Sequence, residues 1–271
     1  MIDYGGFAER LAAHRANPDP VKRWDLYREF HREWGFVPEG GRRWPGDLSY
    51  DPEDTSLVPE ERVPAALREW WTLPENSFAD HRVRHGMQYA WPPQWITAPP
   101  GNGDAEALSP DSPLVVDPDD LRMCCVLIEN QGCAFWGYQS AEAHLDDPKA
   151  YVLATEDGWE VQAASMSEFA LLVAFRTLPH DFAWSAENWD TEFEELADKI
   201  RATMPEVGFP VWRELQSEAV YHGGPDVLAM VDPTGEGDQL YVFGRTREAL
   251  EHLTVELGGE WKISPPPGRN Q

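Results

Sequence analysis

The chain has 271 residues, 42% of them hydrophobic, so it can form one large domain or two small ones with a real core. Its 48 acidic residues outnumber its 22 basic residues and give a formal net charge of −26. This charge argues against binding to nucleic acid or to an anionic membrane surface, since both need a basic face on the protein. It suits a basic protein partner, and equally it suits high solubility alone.

Neither a secretion signal nor a disulfide framework is visible in the sequence. The first residues lack the apolar segment of a signal peptide, and no apolar run reaches the length of a membrane span. The three cysteines, Cys124, Cys125 and Cys133, lie in apolar runs. Such cysteines are typical of small buried side chains in a reducing compartment, so we expect a cytoplasmic protein.

The first part of the chain is predicted to be helical. Residues 5–16 and 21–34 carry apolar side chains at helical spacing, and Gly35 ends the second run. We interpret the aromatic stripe of the second run as a face packed on the core. Pro64 begins a third helix, on which three apolar residues share one face: Leu67, Trp70 and Trp71.

A long irregular segment is predicted between this helix and the centre of the chain. Prolines at 92, 93, 99 and 100 disfavour regular structure, and the segment continues through residues 101–113. Residues 104–120 contain six carboxylates with no basic residue among them: Asp104, Glu106, Asp111, Asp117, Asp119 and Asp120. A run of this kind is typical of a solvated loop.

The centre of the chain is predicted to be a pair of buried strands. Two apolar runs, residues 123–128 and 133–138, flank a polar break at 129–132. Gly132 can supply the positive φ that the turn needs. We favour a structural role for the amide side chains of this turn, as partners of backbone groups, over a role in recognition.

Strands and helices are predicted to alternate through the rest of the chain. Residues 150–155 and 159–163 have the composition of strands, and Ser165 opens a capped helix with Glu168 three residues later. An amphipathic acidic helix is expected over residues 188–203, ended by Pro205. The remaining elements are predicted at 216–222, 227–232, 239–243 and 260–263 as strands and at 245–257 as a helix.

Two sequence motifs resemble the SUKH superfamily, the Smi/Knr-like domains. One is the polar turn followed by an aromatic residue, Trp and Gly; its residues are Glu129, Asn130, Gln131, Gly132, Trp136 and Gly137. The other is the early helix with Pro64, then Leu67, Arg68 and Glu69. The resemblance implies an α+β fold with one twisted sheet flanked by helices, and it does not extend clearly past about residue 178.

The predicted organisation has three parts. A SUKH-like α+β domain is expected over residues 1–180, an acidic helical connector over 181–200, and a smaller C-terminal α+β unit over 201–271.

We find no specific motif for catalysis, for a cofactor or for a metal. The chain has no phosphate-binding or dinucleotide-binding glycine pattern and no Cys-x-x-Cys pair. His81 and His85 lie four residues apart, but two ligands rarely hold a metal and no carboxylate follows nearby. A nucleophilic Cys133 and a pair of catalytic carboxylates both stay open. We therefore predict a chain that is not an enzyme and needs no cofactor.

Three functions remain open. The resemblance implies a bacterial immunity protein that binds and neutralises a toxin, and the acid excess suits a basic partner such as a nuclease toxin. The same fold also occurs in house-keeping regulatory proteins. A hydrolase that uses surface carboxylates is the third alternative, because enzymes without a recognisable motif exist.

The candidate protein-binding surface is the segment 181–198. It concentrates seven carboxylates with no basic residue before Lys199: Asp181, Glu187, Asp190, Glu192, Glu194, Glu195 and Asp198. Phe193, Leu196 and Ile200 can dock the predicted helix and hold its charges outward. The alternatives are that these charges only keep the helix soluble, or that the acidic segment 104–120 is the binding surface instead.

Overall fold

The computed structural model describes residues 2–16, 18–36, 56–76, 87–101, 105–154, 158–188, 193–214, 217–233 and 239–267. The chain divides into two compact units. The five-stranded unit comprises Pro38–Ala170 and Arg213–Leu215; the six-stranded unit comprises Met1–Val37, Leu171–Trp212 and Gln216–Gln271. Two antiparallel sheets and six helices in the described residues confirm the predicted α+β class.

The five-stranded unit is a meander in which neighbours in sequence are neighbours in the sheet. The strands follow the order β1-β2-β3-β4-β5, and each pair is antiparallel. Their bounds are β1 Met87–Ile96, β2 Met123–Glu129, β3 Phe135–Gln139, β4 Ala150–Leu153 and β5 Trp159–Ala163.

Both faces of this sheet are buried. On one face Met123, Cys125, Phe135 and Tyr151 belong to an apolar cluster that also holds Leu108 from outside the sheet. The alternate residues of the same strands, which include Cys124, Trp136 and Val152, are buried as well. Phe135 and Trp136 therefore both lie in the interior, on opposite faces of the sheet.

Among the described residues, two helices also contribute to the five-stranded unit. These are α3, Ala65–Thr72, and the first turns of α4, Met166–Phe182. The Trp70 ring lies 6.3 Å from that of Phe169 in a T-shaped arrangement. The predicted capping residue Ser165 accepts a hydrogen bond at Oγ from the Glu168 amide at 3.1 Å, which fixes the start of α4.

The prediction of irregular structure at Pro92 and Pro93 is wrong. Both prolines lie within β1, whose pairing with β2 is interrupted between Tyr89 and Gln94. A proline cannot donate a hydrogen bond to a neighbouring strand, so it is tolerated in an edge strand and at an irregularity in the pairing. β1 has both features, and this is why the prolines did not exclude a strand.

The six-stranded unit has a sheet in the order β11-β6-β10-β9-β8-β7. Its strands are β6 Trp184–Asn188, β7 Trp212–Glu214, β8 Ser217–Gly224, β9 Val227–Asp232, β10 Gln239–Gly244 and β11 Lys262–Ser264. Its remaining helices are α1 Phe7–Ala16, α2 Asp25–Glu33, α5 Phe193–Thr203 and α6 Arg247–Leu257.

Two apolar cores are present in the described part of the six-stranded unit. Residues of α5 and α6, including Leu196, Ile200 and Leu250, form one cluster with Val231 and Val242 of the sheet. The other core is aromatic and lies around Phe175 of α4: its ring stacks on Phe30 at 3.8 Å and lies 5.5 Å from Phe7 and 4.8 Å from Phe209.

The units differ from the predicted boundaries at residues 180 and 200. Residues 184–188 are not part of a helical connector: they form β6, which pairs with β10 and with β11. α5 begins at Phe193, five residues later than the predicted start at 188. The N-terminal helices, predicted as part of a domain over 1–180, group with the C-terminal sheet. They do so because their buried aromatic side chains meet Phe175, a contact that no local pattern encodes.

Candidate functional site

The described carboxylates of the predicted acidic surface at 181–198 do not form one patch. Asp181 is buried in α4, with 4% of its surface exposed. Glu187 points from β6 with a 26% exposed side chain and lies 4.0 Å from the ammonium of Lys262. Asp190 and Glu192 lie outside the described residues. Of the five carboxylates that the structure describes, only the three of α5 share an exposed face.

Basic residues of α5 pair with those three carboxylates. Lys199 Nζ lies 2.9 Å from Glu195, and Arg201 Nη1 lies 2.9 Å from Asp198 and 4.0 Å from Glu194. Pairs of this kind at helical spacing stabilise a helix by a few tenths of a kcal/mol, about 0.2–0.5 each. They also partly neutralise the face, so little unpaired charge is left on α5 for a partner.

The acidic loop, defined here as residues 105–120, is anchored to the five-stranded unit. Leu108 is 1% exposed, and its amide donates a hydrogen bond to the Leu121 carbonyl at 2.9 Å. The Gln139 side-chain amide donates to the Leu114 carbonyl at 2.9 Å, and the Trp159 indole donates to the Glu106 carbonyl at 2.6 Å. These contacts make the loop a fixed cover over one face of the sheet, where the sequence predicted a solvated segment.

Three aspartates of the acidic loop face solvent without a cation. Asp111, Asp117 and Asp119 are exposed, and no basic group of the described residues lies within ion-pair distance of them. Val116, which precedes Asp117 in the chain, has 55% of its surface exposed. Of the other predicted carboxylates, Asp104 lies outside the described residues, Glu106 accepts a hydrogen bond from the Gly101 amide at 2.6 Å, and Asp120 is paired.

A second polar feature adjoins the end of the acidic loop. We call it the arginine cluster, and it consists of Arg62, Trp95, Asp120, Arg122 and Ser140. Asp120 accepts two hydrogen bonds from the Arg122 guanidinium, at 2.7 and 2.8 Å, and one from the Ser140 hydroxyl at 2.7 Å. Arg62 Nη1 lies 3.1 Å from Ser140 Oγ and 3.5 Å from Asp120. The hydrogen bonds of Arg122 and Ser140 hold the pKa of Asp120 well below its usual range.

An aromatic ring supports both guanidinium groups. The Arg122 guanidinium lies 4.3 Å from the centre of the Trp95 ring, and that of Arg62 lies 6.0 Å from it. Both distances fall within the range of cation–π attraction. The arginine side chains nevertheless stay 46% and 40% exposed, for Arg62 and Arg122 respectively. This cluster could not be predicted from the sequence because its members come from four separate segments of the chain, and only the Asp120–Arg122 spacing is local.

The polar turn of the fold motif is held by its own glutamate. Glu129 Oε2 accepts hydrogen bonds from the amides of Gln131 at 2.7 Å and Cys133 at 3.4 Å, and the Glu129 carbonyl accepts one from Gly132 at 2.9 Å. Gly132 has a φ of +75°, as predicted for the turn. The side chains of Asn130 and Gln131 are exposed. Glu129, and not these amide side chains as predicted, accepts the hydrogen bonds described above for the turn.

Trp136 and Gly137 of the motif have packing roles. Trp136 is fully buried. At Gly137 the strands β2 and β3 approach so closely that a Cβ atom would collide with the Cys124 carbonyl oxygen. The motif therefore positions the centre of the sheet, and its glycine is required by sterics.

The described residues contain no cluster of three or more His, Cys, Asp and Glu side chains that could hold a metal. The predicted His81 and His85 pair lies outside the described residues. Burial raises the pKa of both Cys124 and Cys125 to about 12, so neither thiol ionises near neutral pH. Cys133 is exposed, unlike its prediction as a buried residue, because it follows the turn glycine and precedes β3.

No family model, no curated protein and no solved structure matches this chain. None of the helices that the structure describes combines the length and the apolar character of a membrane-spanning helix.

Proposed function

We propose that this protein is a binding protein, of the immunity type that the SUKH resemblance implies, and that it neutralises a basic protein partner such as a nuclease toxin. One observation carries the choice of surface: Asp111, Asp117 and Asp119 of the acidic loop are exposed without a cation from the described residues, and Val116, which precedes Asp117, is exposed as well. Unpaired surface charges of one sign steer an oppositely charged partner and accelerate its association.

The anchoring of the acidic loop supports this proposal. A binding loop that must become ordered in the complex loses affinity to the entropy of ordering. The Leu108 side chain is already buried, the Leu114 carbonyl already accepts a hydrogen bond, and Asp120 is already bound by Arg122, so the backbone that carries the three aspartates is anchored at both ends in the free protein. The three aspartates are thus held ready for a basic face.

The partner can be captured directly through the loop. A photo-reactive amino acid placed at Val116 is expected to crosslink a basic protein in cells. The same amino acid at Val255, which is 80% exposed on α6, provides the control and should not capture that protein. Expression of the captured protein alone should be toxic, and co-expression with this chain should restore growth. If the captured partner is not toxic, the immunity function is contradicted and the regulatory alternative is favoured.

A matched pair of triple variants tests the electrostatic argument. Reversal of Asp111, Asp117 and Asp119 to Lys should slow association with the captured partner by about tenfold or more at low ionic strength. Most of that difference should vanish in 0.5 M salt, where screening is stronger. Reversal of Glu194, Glu195 and Asp198 to Lys makes the same change in net charge on α5.

The three outcomes of this comparison have different meanings. A slower rate for the loop variant alone supports the acidic loop. Equal slowing by both triple variants would mean that the net charge acts and not the loop. A slower rate for the α5 variant alone would restore the predicted segment 181–198 as the binding surface.

A further inference from the structure

The arginine cluster contains more positive charge than its own carboxylate can satisfy. A carboxylate has about four lone-pair sites for hydrogen bonds. Asp120 fills its sites with the two guanidinium bonds of Arg122, the Ser140 hydroxyl and the Arg122 amide at 3.3 Å. Arg62 therefore approaches only to 3.5 Å and shares a carboxylate that is already saturated.

Donors of both arginines remain available to a ligand. A guanidinium has five N–H groups in a planar fork. Arg122 uses Nε and Nη2, and Arg62 uses only Nη1, on Ser140 and Asp120. No other described residue forms an ion pair with either side chain. The cluster thus carries one net positive charge, at the surface of a chain whose net charge is −26.

The composition of the cluster is that of an interaction hot spot. Trp and Arg are enriched among the residues that dominate binding energy at protein interfaces. Trp95 restricts the rotation of the Arg122 guanidinium that it supports, at 4.3 Å, so less side-chain entropy is lost when a ligand binds. A planar carboxylate matches the fork of a guanidinium with two parallel hydrogen bonds.

We propose that Arg62 and Arg122, supported by Trp95, form a recognition site for a planar carboxylate that the protein partner supplies. This inference rests on the proposed binding function and adds a feature to the partner: a basic face with one acidic group in it. The basic face would meet Asp117 and Asp119, while its carboxylate would meet the two arginines. Glu60, Glu61 and Asp119 flank the cluster in sequence, and their negative charges offset its positive charge at long range. A free carboxylate is therefore expected to bind weakly.

The site can be tested without the partner by using benzoate as the probe. Titration of the ¹⁵N-labelled protein with benzoate should shift the indole N–H resonance of Trp95, with a dissociation constant on the order of millimolar. Benzamide has the same shape without the charge and should not shift this resonance. Inorganic phosphate should bind less tightly than benzoate; tighter binding of phosphate would overturn the assignment to a carboxylate.

Variants of Arg62 identify the donor. Arg62→Gln should weaken benzoate binding at least about fivefold, and Arg62→Lys should weaken it as well because it keeps the charge but loses the planar fork. Arg68→Gln removes an exposed arginine of α3 and provides the matched control, with binding expected to be unchanged. The Arg62 carbonyl, which accepts the Tyr138 hydroxyl at 3.1 Å, is kept in each variant, and unchanged melting temperatures would verify folding. Equal affinity in Arg62→Gln and the wild type would refute the site.

The captured partner distinguishes the source of the carboxylate. Saturating benzoate should speed dissociation of the partner, and benzamide should not. Benzoate binding at Trp95 without any effect on dissociation would overturn the partner as the source and leave a site for a free small carboxylate. Failure of the loop variant to slow association, with benzoate binding intact, would refute the acidic loop as the binding surface and not the arginine site.

Discussion

The stability of the six-stranded unit should depend on pH through His31. This residue lies on α2 with 1% of its surface exposed, and its ring lies 4.1 Å from Tyr27 and 5.5 Å from Phe36. Its Nδ1 lies 2.8 Å from the Tyr27 carbonyl oxygen, which fits a neutral ring that donates at this nitrogen. Burial lowers the pKa of His31 from its ordinary value of 6.5 to about 4.

The sign and size of the effect follow from this pKa. Between pH 6.5 and 4 the unfolded chain binds a proton at His31 and the folded chain does not, so the free energy of unfolding falls as the pH falls. Each pH unit within this window removes about 1.4 kcal/mol. The contribution of neutral His31 to the free energy of unfolding is complete above pH 6.5. About 2 to 3 kcal/mol of this contribution should be lost between pH 7 and pH 4.5.

The assay is denaturant unfolding of the wild type and His31→Gln at several pH values. Glutamine keeps a donor for the Tyr27 carbonyl and does not titrate, and the other titrating groups cancel in the difference between the two proteins. The wild type should therefore lose stability relative to the variant as the pH falls to 4.5. His252→Gln, at an exposed position on α6, is the control and should follow the wild type. A stability difference between the wild type and His31→Gln that stays constant with pH would show that His31 does not contribute to the pH dependence.

Three further predictions concern the five-stranded unit. Gly137→Ala should destabilise the protein by about 1–3 kcal/mol in chemical denaturation, because the new methyl group collides with the Cys124 carbonyl; an unchanged midpoint would contradict the close approach of the strands. Tyr151→Phe should lower the free energy of unfolding by about 1–3 kcal/mol, because the buried Glu142 carboxylate loses a hydrogen-bond donor at 2.9 Å. An unchanged free energy of unfolding would show that this carboxylate has another partner. Iodoacetamide should modify the native protein once, at Cys133, and the unfolded protein three times by mass spectrometry; a second adduct under native conditions would contradict the burial of the β2 cysteines.

Elements with a strong local signal could be predicted from the sequence. The neighbouring strands β2 and β3 are confirmed, with the turn glycine at its expected positive φ. β9 at Val227–Asp232 matches the predicted range, and α6 lies within its predicted range. In these segments the alternation of apolar residues, the turn glycine and the capping residue all favour one structure.

Elements defined by distant partners could not be predicted. In the sequence, β6 is part of an acidic segment that is predicted to be helical. It is a strand because it pairs with β10 and β11. The prolines of β1 indicate a loop until its position at the sheet edge is known. The arginine cluster could not be predicted for the same reason. The fold brings Arg62, Trp95 and Ser140 to Asp120, and no spacing in the sequence indicates that they are close.

The two acidic segments show why a count of carboxylates does not locate a binding surface. On α5, Glu195 precedes Lys199 by four residues and Asp198 precedes Arg201 by three, so the helix itself brings each acid to a base. In the acidic loop the nearest base in sequence is Arg122, whose guanidinium binds Asp120 with two hydrogen bonds. Asp117 and Asp119 are therefore left without a cation from the part of the chain that the structure describes. The same number of charges thus gives a partly neutral face on the helix and an unpaired one on the loop. The spacing of acids from bases, read against the predicted secondary structure, is therefore a better guide to an electrostatic interface than net charge.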